Sequence, residues 1–154
     1  LMEIRTVETL LREHPFFDGM KEEYIASLAG CASNVRFPAR SNLFSQKDQA
    51  DHFYILQEGK VAIDIDAPGR GVITIETVDE GKVLGWSWLF PPYEWHYNAR
   101  AVEDTKAIAM DARCLRGKCE EDPALGYELM KRFSAIMLRR MQRARMQLLD
   151  MYGK

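Results

Sequence analysis

Nowhere in this 154-residue chain do about 18 apolar residues follow one another, so no membrane-spanning helix is expected. An excess of either charge is missing too: 21 Lys and Arg stand against 23 Asp and Glu, a formal net charge of −2. That balance leaves no broad basic face for nucleic acid. Histidine is scarce, and His14, His52 and His96 lack metal-ligand spacing, as do Cys114 and Cys119 five residues apart. Neither a metal nor a haem is expected. The three cysteines, Cys31, Cys114 and Cys119, are odd in number and widely spaced, which fits a reducing compartment better than a disulfide framework. The N-terminal stretch LMEIRTVETLLREH is acidic and has no long apolar run, so a cytoplasmic location is expected. There is no Ser-His-Asp order, GxSxG or paired-acid signature, and the chain is expected not to be an enzyme.

What is present is enough apolar material, 47% of residues, for one packed core. Up to about residue 32 the apolar period is helical: Val7, Leu10 and Leu11 follow Thr6 as N-cap, and Tyr24, Ile25 and Leu28 share one face of a second short helix closed by Gly30. From 33 to 111 the period drops to two. VRFPARSNLFSQ, HFYILQEG, KVAIDID, VITIETV and TKAIAMD are short runs separated by Pro, Gly and Asp clusters, the pattern of an antiparallel β-roll or sandwich. Val61, Ile63 and Ile65 make one strand face, and DAPGRG reads as an exposed, mobile hairpin loop. Residues 112–154 return to helix, one short and one long, the long one capped by Asp122-Pro123. The expectation is a single domain over 1–154.

Two stretches carry the functional signal. GWSWLFPPYEWHYNARA, residues 85–101, concentrates three tryptophans, two tyrosines and a Pro-Pro step. On the long helix Met130, Ser134, Met137, Met141, Ala144, Leu148 and Met151 follow one another at alternating spacings of four and three, a heptad seam. A second stripe, Leu129, Phe133, Ile136 and Arg140, faces another way. The seam predicts a parallel homodimer in which Met137, Met141, Ala144 and Leu148 meet their own copies.

The order of elements, with YILQEGKVAI around Gly59, EGKVLGWSWLF and ARAVEDTKAIAMD, resembles the cyclic-nucleotide-binding domain, and in particular the sensory half of catabolite-activator-type (CRP/FNR-like) bacterial regulators. The resemblance implies a mainly β fold: an antiparallel jelly-roll with flanking helices and a long C-terminal dimerisation helix. It also implies a phosphate cassette, in which backbone N–H groups after a glycine meet the phosphate, a Glu takes the ribose and an Arg neutralises the charge. Here Trp86 follows Gly85 where the family has that Glu. Counting back from ARAVED puts Trp95 at the Arg; counting forward from GWSWLF puts His96 there. Arg100 matches an arginine of the following strand.

Each lost charge-assisted contact costs roughly 1.5–3 kcal/mol, so ordinary binding of cyclic AMP should weaken by a factor of hundreds or more. Three readings of the aromatic stretch stay open. It is an aromatic plug, a reshaped pocket for a flat small-molecule effector, or a nucleotide site in an altered pose. The candidate contacts are Gly85, Trp86, Ser87, Trp88, Trp95, His96 and Asn98, with His96 and Asn98 sharing a side if 96–100 is a strand. No cofactor is expected. In the family the helix-turn-helix lies beyond the long helix; with the chain stopping at Lys154, no direct DNA binding is expected of it. The expected function is a stand-alone sensory module. The alternatives are a scaffold dimer with a sealed pocket, or the sensor half of a longer regulator.

Overall fold

The computed structural model describes residues 6–153. Thr6 caps the first helix, α1 (Val7–Glu13), by accepting from the Thr9 amide at 3.2 Å. A 3-10 turn, Pro15–Phe17, and α2 (Glu22–Ala29) follow. His14 caps the turn: its Nδ1 accepts from the Phe16 amide at 3.2 Å, and its Nε2 pairs with the Leu56 carbonyl at 3.2 Å. The imidazole is therefore neutral with its proton on Nε2, and burial pushes its pKa down.

Eight strands come next: β1 (Ala32–Phe37), β2 (Asn42–Phe44), β3 (His52–Glu58), β4 (Lys60–Ala67), β5 (Gly71–Asp79), β6 (Val83–Leu84), β7 (Asn98–Ala101) and β8 (Thr105–Asp111). They form two four-stranded sheets, ordered β1-β8-β3-β6 and β2-β7-β4-β5, with antiparallel pairing throughout. Because sequence neighbours alternate between sheets except at the β4–β5 hairpin, this is the jelly-roll expected. Its core takes Phe53, Ile55, Leu56, Val61, Ile63, Leu84 and Ile108, each at most 2% exposed. The β3–β4 turn requires glycine: Gly59 has φ 103°, and a Cβ there would fall 2.7 Å from the Asp104 carbonyl oxygen.

The β-region is followed by α3 (Ala112–Glu121) and α4 (Pro123–Tyr152). The chain forms two compact units, Leu1–Gly117 and Lys118–Lys154. In the second, Asp122 caps α4 by accepting from the Leu125 amide at 3.3 Å. Leu125, Leu129 and Phe133 are buried, whereas every residue from Met141 to Tyr152 is exposed.

One expectation is overturned. Cys31 and Cys114 form a disulfide, with Cα atoms 5.7 Å apart. Their separation of 83 residues hides this, but the register Ala32↔Met110 lays the start of β1 beside the end of β8, with Cys31 just before that pair and Cys114 four residues beyond it in the first turn of α3. Cys119 is free.

Candidate functional site

The aromatic stretch begins where β6 pairs with β3, Leu84 opposite Tyr54. Gly85 then turns with φ 100°. The reason is steric, since a Cβ there would lie 2.6 Å from Cζ3 of Trp95. A 3-10 turn, Ser87–Leu89, follows with Trp86 as its N-cap residue. Trp88 is fully buried and stacks on Phe53, ring centroids 5.3 Å apart. After the cis Pro91-Pro92 bond and left-handed Tyr93, the chain returns along residues 47–50. The Trp95 amide donates to the Asp48 carbonyl at 3.0 Å, and the Lys47 amide donates to the Trp95 carbonyl at 2.8 Å.

These bonds aim the Trp95 indole inward. It is 3% exposed and lies 3.6 Å from the Phe44 ring at 9°, within a cluster that continues to Tyr54 and Tyr97. Burial, reinforced by Asp51, pushes the Tyr54 phenol up and keeps it neutral. The space beside Gly85 is thus filled by an apolar ring.

Gly85, Ser87, Trp88 and Trp95 come together as buried neighbours, and Trp86 is half-buried. His96 does not join them. It sits in a bend ahead of β7, exposed, because the strand starts at Asn98 rather than at 96. The side chain of Asn98 turns to the backbone instead, its Oδ1 accepting from the Gln46 amide at 2.7 Å. Asn98 also lines an open groove of about 700 Å³ with Asp64, Asp66 and Arg100. Arg100 is committed there: its Nε donates to Asp64 Oδ2 at 3.2 Å while Thr74 donates to Oδ1 at 2.6 Å. Asp64 is 4% exposed, so removing either donor leaves a buried carboxylate under-satisfied.

Two participants have no signature in the sequence. Phe44 supplies the stacking floor under Trp95, and Arg116 of α3 donates from Nη1 to the Trp88 carbonyl at 2.8 Å while lying 4.1 Å over the Tyr93 ring. No periodicity marks an arginine on a short amphipathic helix as a cassette contact. On α4, Met137 is half-buried, Met141 and Leu148 are 47% and 54% exposed, and Ala144 is exposed. No His, Cys, Asp and Glu group suited to a metal occurs among the described residues, and none of their helices is long and apolar enough to cross a membrane.

The jelly-roll, the glycine break at 85 and the long helix set a pattern that the cyclic nucleotide-binding domain model matches over residues 34–122, more than half of the chain. The chain belongs to that family. Among curated proteins, this cyclic nucleotide-binding domain is 24% identical over 145 residues to a CRP-like cAMP-activated global transcriptional regulator of Mycobacterium tuberculosis. The match covers 94% of the chain but 63% of the relative's length. Among solved structures, a protein of Geobacter metallireducens GS-15 assigned to cyclic-nucleotide binding superposes with a TM-score of 0.78 at 28% identity. It is covered over 99% of its length, and the domain over 90%. The N-terminal domain of a transcriptional regulator from Streptomyces coelicolor A3(2) gives 0.69 at 25% identity, covering 88% of this domain and 94% of that one.

Proposed function

We propose that the chain is a non-enzymatic, cytoplasmic sensory module of the CRP-like kind that does not take cyclic AMP or cyclic GMP in the family's manner. One observation carries this reading: the buried Trp95 indole packed on Gly85 and Phe44, at the inward-facing one of the two positions, 95 and 96, where the resemblance puts the phosphate-binding arginine. An indole face offers a phosphate no charge and no hydrogen-bond fork. A pocket opened beside it would suit a flat aromatic or weakly anionic effector. Assembly is a parallel homodimer along α4, through Met137, Met141, Ala144 and Leu148; in the single chain the last three are exposed on a heptad seam. Since the chain covers 63% of the M. tuberculosis regulator, the same module serves equally as the sensor half of a longer regulator.

Isothermal titration of the full chain with each nucleotide tests the reading, with no binding expected at physiological concentration. Micromolar affinity for either one overturns it. The burial of Trp88 and Trp95 favours one second reading, a scaffold dimer with a sealed pocket. Tryptophan emission under a metabolite screen separates the two, because a sealed pocket leaves it unchanged for every compound class.

A further inference from the structure

The Cys31–Cys114 bond connects to the aromatic loop by a short physical route. Cys31 follows α2, and its carbonyl accepts from the Asp111 amide at 2.8 Å. Cys114 lies in the first turn of α3, its amide donating to the Asp111 side chain at 2.8 Å. Two residues on, Arg116 of the same helix holds the loop at two points, the Trp88 carbonyl and the Tyr93 ring. The bridge therefore pins the helix that pins the loop.

We infer that Cys31–Cys114 is a reversible thiol–disulfide site whose state sets how firmly α3, through Arg116, holds residues 87–93. Cys31 is 6% exposed while Cys114 is half-buried, so a small thiol reaches Sγ of Cys114 first. Accessible bridges are the ones that exchange. The reductant is a low-molecular-weight thiol of the glutathione class. Its thiolate attacks Sγ of Cys114, the protein S–S bond breaks, and Cys31 leaves as a thiolate that takes a proton from water. A second small thiolate then attacks the small-molecule sulfur of the mixed disulfide, releasing Cys114 and a small disulfide. Two electrons pass from two small thiols to the bridge, and the reverse sequence re-forms it. Cys119 does not compete: burial, with Asp122 and Glu120 beside it, pushes its thiol up and keeps it protonated.

Reduction removes the covalent tie of α3 to the end of α2 and leaves its first turn on the Asp111 hydrogen bonds, the 2.8 Å bond from the Ala112 amide to the Asp51 carbonyl and the buried Ala112 and Leu115, so Arg116 loses one of the fixed points of its base. This holds whatever ligand the loop faces. The test equilibrates the full chain in glutathione buffers of graded thiol-to-disulfide ratio. Samples are quenched by alkylation for intact mass, and hydrogen exchange is followed in the peptide covering 87–93. The bridge is expected to open in one two-electron transition, with loop amides exchanging on the order of tenfold faster in the reduced form, the effect of losing about one net hydrogen bond. In Arg116→Met, exchange is expected to be fast in both states. Three alkylated cysteines at every ratio, or an intact bridge even in pure thiol, overturns the site. Equal loop exchange in the two wild-type states, or a redox response that survives in Arg116→Met, overturns the coupling. The wild-type comparison is decisive without any variant having to fold.

Discussion

Truncating Trp95 to alanine removes a ring that is 3% exposed and lies nearly parallel to Phe44 at 3.6 Å. Large aromatic-to-alanine changes in a core cost roughly 3–5 kcal/mol, and lost ring stacking adds about 0.5–1.5. One wall of the resulting cavity is Gly85, whose missing side chain cannot move in to fill it, so the loss should fall in the upper part of that range, about 4–5 kcal/mol. At roughly 2–4 °C per kcal/mol for a chain of this length, the melting midpoint drops by about 8–20 °C. The neighbouring exposed His96→Ala should stay within about 0.5 kcal/mol of the parent. Urea denaturation followed by far-UV circular dichroism measures both, and added indole should recover part of the loss by occupying the cavity. A Trp95→Ala cost below about 1 kcal/mol, or an equal cost for His96→Ala, would refute the placement of residue 95 against Gly85.

His14 makes stability depend on acid. Its folded pKa is held below the ordinary 6.5 by burial, which outweighs the opposing bond to Leu56 and the charge of Asp18. Below that value the unfolded chain takes up more protons than the folded one, so stability is whole above about pH 7 and declines as pH falls through the range down to the folded pKa. Denaturation midpoints across that window should show the slope in the parent and lose it in His14→Asn; equal slopes would refute it. On α4, Met141→Glu with Leu148→Glu places four like charges in the proposed seam and should yield a folded monomer from a dimeric parent by analytical ultracentrifugation. A dimer unchanged by the charges means that another face pairs.

The elements that could be read from the sequence are those whose pattern repeats. β3, β4 and β8 are long enough for alternation to show, and α4 runs over many turns. β6 and β7, of two and four residues, exist because β3 and β4 give them partners, a long-range cause that local propensity does not carry. The same holds at the site. Counting from either flank leaves 95 and 96 equally eligible for the inward position, and the hydrogen bonds from residues 47–48 decide between them. In the run IDID, alternation suggests a solvated Asp64; the structure buries it, because Arg100 and Thr74 reach it from the neighbouring strands. The disulfide is illegible for a related reason: strand register, which spacing along the chain does not encode, brings its two halves together.

Within α4, Leu125, Leu129 and Phe133 are buried and every residue from Met141 to Tyr152 is exposed, so the helix changes character along its length. The 19 residue steps from Phe133 to Tyr152 span about 28 Å at 1.5 Å per step. A bend of about 10° next to Phe133 would carry the free end sideways by about 5 Å, close to the pitch of one helical turn. A small bend in the buried turns of α4 thus reaches its last turn as a shift of about one helical pitch, and the leverage grows with every residue beyond the bend.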